Sequence, residues 1–173
     1  LRRSRVHVFA GPLLSRALNA GAVERLGITT MMFRTRFKRE IVTEFLPPAR
    51  SGKIRSTETQ KAIILCDGMP SIPRKQPLAE FLSRKGYWVF YPRYRGAWES
   101  GGKFLEISPH EDVLDVMDGL SREFRELAFG RRFRVHVDEL FVVGGSFGGA
   151  AAILSSLDPR VKKVVANCPV VDW

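Results

Sequence analysis

The sequence predicts an α/β protein built on one mostly parallel sheet with helices on both faces. Three observations predict it. Short apolar runs of β-formers at 61–66, 87–91, 139–144 and 161–166 alternate with helical patterns, and such alternation with short connections gives parallel, right-handed crossovers. Residues 30–37 and 40–46 read as two closely joined strands ahead of the first helix. Leu140-Phe141-Val142-Val143 passes through a glycine-rich turn straight into Ala150-Ala151-Ala152-Ile153-Leu154, a strand running abruptly into a buried helix.

A chain of 173 residues can bury one core and makes at most one ordinary domain. Hydrophobic residues at 45% and charged residues at 27% are globular values. No apolar run reaches transmembrane length. The net charge of +10 is unevenly spread: residues 1–61 carry 13 Lys/Arg against 4 Asp/Glu, whereas residues 62–173 carry 15 against 14. No nucleic-acid-binding motif accompanies the basic third, so it reads as a solvated face and no nucleic-acid partner is expected. Cys66 and Cys168, near the ends of expected buried strands, read as free core thiols in a reducing compartment, the cytoplasm. His7, His110 and His136 are too scattered for a metal site.

In order, residues 1–28 are a basic N-terminal extension with five arginines and one glutamate. A helical extension, or the tail of a preceding domain, is the expectation there. The folded domain spans 29–173. Its first strand pair stops at Pro47-Pro48, and the polar stretch 49–60 forms a loop. The strand at 61–66 ends in Asp67-Gly68-Met69-Pro70. Residues 77–85 read as a helix with Leu78, Phe81 and Leu82 on one face, stopped by Gly86. The strand at 87–91 leads into the loop 92–102, at the end of a parallel strand where open α/β sheets bind ligands. Tyr94 and Trp98 are candidate substrate-binding residues in it, and Arg95 is expected to pair with an acid such as Asp112. Ser108-Pro109-His110-Glu111 reads as a capping box. The helix it opens should bury Val113, Val116, Met117, Leu120, Phe124 and Leu127. Arg131, Arg132 and Arg134 form a solvated connector into the strand at 139–144.

That strand ends in Gly144-Gly145-Ser146-Phe147-Gly148-Gly149, which contains the G-x-S-x-G spacing of a nucleophile elbow. A serine at the tip of a sharp strand-to-helix turn stands clear of the backbone, and glycines two residues away on either side let strand and helix close up without a Cβ clash. The helix N-terminus adds N–H groups beside the reacting atom. The segment resembles the α/β-hydrolase superfamily. The Gly-Gly-Ser-Phe-Gly-Gly form, the Tyr94-Arg95-Gly96…Gly101 loop and the closing Pro169-Val170-Val171-Asp172-Trp173 are similar to its prolyl oligopeptidase-like branch. The resemblance covers roughly residues 30–173.

The resemblance implies an α/β-hydrolase fold with a sheet incomplete at its C-terminus, and a serine hydrolase, peptidase or esterase, acting on a small peptide or ester. Ser146 would be the nucleophile, and the N–H of Phe147 would hold the oxyanion with that of Gly68 or Met69. No cofactor is required. In the superfamily the triad runs Ser…Asp/Glu…His, but no histidine follows Ser146. The chain is therefore expected to be a fragment lacking the triad acid and base, and inactive as it stands. Asp158 and Asp172 are the acids that follow the serine. The alternative is a non-catalytic basic binding module on the same scaffold.

Overall fold

The computed structural model describes residues 5–9, 31–49 and 60–172. Twelve elements follow in order: β1 (Arg5–Phe9), β2 (Phe33–Phe37), β3 (Ile41–Leu46), β4 (Gln60–Cys66), α1 (Gln76–Arg84), β5 (Tyr87–Pro92), α2 (Pro109–Leu120), β6 (Phe124–Arg125), β7 (Arg132–Phe133), β8 (Val137–Gly145), α3 (Phe147–Ser155) and β9 (Val161–Asn167). Seven strands form one sheet in the order β1-β9-β8-β4-β5-β3-β2. β4, β5, β8, β9 and β1 run parallel, and β3 and β2 add an antiparallel edge. This is the α/β architecture expected from the strand–helix alternation.

The central strand explains the layering. In β4, Ala62 and Ile64 belong to one apolar cluster, and Ile63 and Leu65 to the other. A strand buried on both faces reads as a continuous apolar run. The first cluster takes in Val113, Val116, Met117 and Leu120 of α2 and Ala152 of α3. The second packs Ala79, Leu78 and Leu82 of α1 against Val89, Tyr91 and Val143. Helices thus cover both faces.

Several local expectations are corrected. Residues 5–9 form a strand hydrogen-bonded in parallel to β9, with Arg5 opposite Lys163 and Phe9 opposite Asn167, not part of a helix. Of the loop expected at 49–60, residues 50–59 lie outside the described residues, as does most of the 1–28 extension, and Gln60 already begins β4. Phe81 is half-exposed at 47%, with the Lys85 ammonium over its ring. α2 stops at Leu120 rather than running on. Phe124 reaches the core from the β6–β7 ribbon, whereas Leu127 is 54% exposed. Ser108 is the N-cap of α2 without a side-chain cap bond, because its hydroxyl is 2.8 Å from His110 Nδ1. Cys66 is buried and Cys168 is exposed, so only one thiol belongs to the core; both are free.

Candidate active site

The sheet's carboxyl edge is organised by glycines that have no room for a side chain. A Cβ on Gly144 would lie 2.0 Å from the Gly148 carbonyl oxygen. One on Gly148 would lie 2.3 Å from the Asp67 oxygen and 2.4 Å from that of Cys66. One on Gly149 would sit 2.7 Å from Pro169 Cβ. α3 therefore starts hard against the end of β4 and the segment after β9, which forces the chain to reverse sharply at Ser146.

Ser146 takes φ 52° and ψ −125°. A non-glycine held there costs about 1–3 kcal/mol and persists only where its surroundings dictate it. Here they do: its N–H donates to Asn167 O at 3.0 Å, and its carbonyl accepts from Val170 N at 3.1 Å and Gly149 N at 2.9 Å. The side chain is exposed and does not cap α3. Among the described residues Oγ has no hydrogen-bond partner.

Facing it is the turn 67–71. Gly68 lies directly against the elbow, since a Cβ there would be 3.3 Å from Gly145 O and 3.4 Å from Ser146 Cβ. The sequence left Gly68 and Met69 as alternative donors. The Gly68 N–H donates to Asp67 Oδ1 at 3.0 Å, so it is engaged within the turn itself. Met69 packs on a small cluster of Tyr94, Ala97, Phe147 and Ala151 beneath the elbow.

Tyr94, read as substrate-binding, is 1% exposed. Its hydroxyl donates to Asp67 O at 3.0 Å, and its ring meets that of Phe147 edge-on at 5.3 Å. It supports the site from below and offers no surface to a ligand. Trp98 is 40% exposed with φ 49°, and the Arg93 guanidinium lies 6.0 Å from its ring. Arg95 pairs with Asp112 as expected, and with more besides. Its Nε donates to Glu40 at 2.6 Å and its second terminal nitrogen to Asp115 at 2.7 Å. Burial pushes the Asp112 carboxyl above its ordinary range, against the opposing pull of Arg95.

Sequence reasoning missed the role of Asp67. This acid is 3% exposed and receives the Tyr91 hydroxyl. Burial, then Asp67, raises the Tyr91 phenol, so it stays a neutral donor. Burial and Asp67 together push the Cys66 thiol up to about 12. An acid at the end of an apolar strand was the one local signal; its partner Tyr91 lies in β5, 24 residues on.

Among the described side chains, no base is hydrogen-bonded to Ser146 Oγ. His136 precedes β8 at its amino end, nine residues from Gly145, or about 30 Å at 3.3 Å per residue. His110 is held between the Ser108 hydroxyl at 2.8 Å and Glu111 at 3.3 Å. Asp158 is bound by Arg160, which holds its carboxyl below the ordinary range. Asp172 is exposed. Among the described residues no His/Cys/Asp/Glu group could hold a metal ion, and no helix is long and apolar enough to cross a membrane.

No known-family profile matches the sequence, and no curated protein matches it. Solved structures do match. The esterase Pf2001 of Pyrococcus furiosus superposes with a TM-score of 0.60 at 18% identity, over 86% of this chain and 52% of its own. A serine hydrolase homologue from Coxiella burnetii gives 0.59 at 18%, over 84% and 66%. Est1E from Butyrivibrio proteoclasticus, solved with ferulic acid bound, gives 0.58 at 18%, over 82% and 53%. The chain thus spans about half to two thirds of the length of these structures. The likeness, together with the sheet order and the elbow at the end of β8, shows that the chain has the α/β-hydrolase fold.

Proposed function

We propose that the chain carries the nucleophile and oxyanion site of a serine hydrolase. Ser146 Oγ attacks an ester or peptide carbonyl, its proton passes to a base, the tetrahedral adduct collapses with the alcohol or amine leaving and taking that proton, and water then cleaves the acyl-serine that remains. The N–H groups of Phe147 and Met69 receive the negative charge that develops on the carbonyl oxygen. Trp98 lines the substrate's approach. The observation that carries this reading is the strained, exposed Ser146, whose Oγ has no partner among the described residues and is set against the 67–71 turn. An idle serine gains nothing from such a conformation.

Esters are the first substrates to try, since Pf2001 of Pyrococcus furiosus, one of the similar structures, is an esterase by name. The Tyr94-Arg95-Gly96 and Pro169–Asp172 motifs argue for peptides, as in the prolyl oligopeptidase-like branch. The free thiols Cys66 and Cys168 favour a cytoplasmic setting.

Without a positioned base, neutral serine reacts slowly, and elbow and donors alone are worth about 10³–10⁴ over water. Hydroxide or added imidazole then takes the proton. The 173-residue chain is expected to hydrolyse p-nitrophenyl acetate weakly, faster with rising pH and with imidazole, and the Ser146→Ala variant to lose that component. Equal rates for the two proteins across the alkaline range would overturn the reading.

A further inference from the structure

We infer that Asp67 is a positioning residue that sets the oxyanion turn against Ser146; this rests on the reading of Ser146 as nucleophile. Four donors converge on one buried carboxylate. Oδ1 accepts the Gly68 N–H at 3.0 Å and lies 3.6 Å from Lys75 Nζ. Oδ2 accepts the Tyr91 hydroxyl and shares the single proton of the Ser71 hydroxyl, whose oxygen is 3.3 Å away, with Gly68 O. The backbone of the same residue is also held, because Tyr94 donates to its carbonyl at 3.0 Å. Ser71 Oγ additionally contacts Gly68 O at 2.7 Å, which closes the turn on itself.

The consequence is specific. Asp67 uses up the Gly68 amide, so the turn presents the next one, that of Met69. It also ties the turn to β5 through Tyr91, and to α1 through Lys75 at its N-cap. Tyr94 extends the tie to the elbow, since its ring packs on Phe147. The two candidate donors, one on each side of the reacting carbonyl, are thus braced against each other through a single acid. An oxyanion donor acts only when about 2.7–3.1 Å from the oxygen that becomes negative, and a misplacement of about 1 Å costs about 10²-fold. The role of Asp67 is therefore felt in the transition state and not in the affinity for the ground state.

The test uses an alkyl fluorophosphonate, whose phosphoryl oxygen occupies the oxyanion position while Ser146 Oγ displaces fluoride and gives its proton to hydroxide or imidazole. Labelling of the 173-residue chain at alkaline pH is resolved into a binding constant and a maximal rate. Asp67→Ala is expected to lower the maximal rate about 10²-fold, the size of one misplaced donor, with binding within about twofold. Asp67→Asn keeps an acceptor for the Gly68 N–H and an NH₂ for the hydroxyls of Tyr91 and Ser71, so it recovers most of that loss. Ser71→Ala removes an exposed hydroxyl, leaves the core intact, and should slow labelling about tenfold; it decides the matter if Asp67→Ala fails to fold. Parent-like maximal rates in folded Ser71→Ala and Asp67→Ala, or a loss confined to binding, would overturn the inference. A Ser146→Ala variant that labels as fast as the parent would instead overturn the reading of Ser146 on which it rests.

Discussion

Replacing Gly148 with alanine should damage the fold, while the same change at Gly145, three residues away, should not. At Gly148 the new methyl would lie 2.3 Å and 2.4 Å from two backbone oxygens, where ordinary contact begins at 3.4 Å. The intrusion is about 1 Å on two atoms at once. Those oxygens belong to Cys66 and Asp67, at the end of a central strand held by β5 on one side and β8 on the other, so they cannot swing away. Overpacking of this kind costs about 1–3 kcal/mol, and the rigid partners place Gly148→Ala at the upper end. For a domain of this size each kcal/mol lowers Tm by about 2–4 °C, so a fall of about 6–12 °C is expected. At Gly145 the nearest atom to a Cβ is Asn167 O at 3.6 Å, an ordinary contact, and a change within about 0.5 kcal/mol follows. Calorimetric or circular-dichroism melts of both variants check this. If the two melt together, the close approach of α3 to β4 is not what requires glycine in this motif.

Arg95→Met leaves Asp112, whose side chain is 4% exposed, without its cation, and breaking such a pair costs about 3–5 kcal/mol near neutrality. Because burial already raises the Asp112 carboxyl, loss of the arginine raises it further. The folded variant then binds a proton more tightly than the unfolded chain, so its stability increases as pH falls through that raised value toward the ordinary carboxylate range of the unfolded chain. Urea melts should show the deficit narrowing with acidification, and a deficit independent of pH contradicts the assignment. For the thiols, a thiol-reactive dye should modify Cys168 in the native protein and Cys66 only after unfolding, because Cys66 is buried and its pKa is pushed up to about 12. Two fast thiols in native buffer would contradict the burial.

The fold was readable because its signals are local. Apolar runs such as Ala62-Ile63-Ile64-Leu65 declare a strand buried on both faces, and the glycines flanking Ser146 declare a close approach. Arg95 was also legible, as a cation in a loop followed by an acid-rich helix. What stayed hidden depends on contacts distant in sequence. The carboxylate of Asp67 is met by Tyr91, 24 residues on, and no spacing rule links them. Tyr94 looks like a ligand-binding aromatic in any loop until its hydroxyl is seen on Asp67 O. Phe124 sits where a helical stripe would continue, yet it reaches the core from a ribbon, because Ser121 ends α2 first. Residues 5–9, Arg-Val-His-Val-Phe, alternate polar and apolar side chains over only five positions, too short a run to stand out from a stretch read as a helical extension. They become a strand by pairing with β9, 158 positions away at Arg5 and Lys163.

The central claim is that Ser146 is the nucleophile, and the most direct measurement is the site of a covalent adduct. The 173-residue chain would be treated with an alkyl fluorophosphonate at alkaline pH with imidazole, digested, and sequenced by tandem mass spectrometry. The account predicts a single stoichiometric phosphonyl group on Ser146, absent from Ser146→Ala and from the denatured chain. An adduct spread over several hydroxyls, or retained in full by Ser146→Ala, would contradict it.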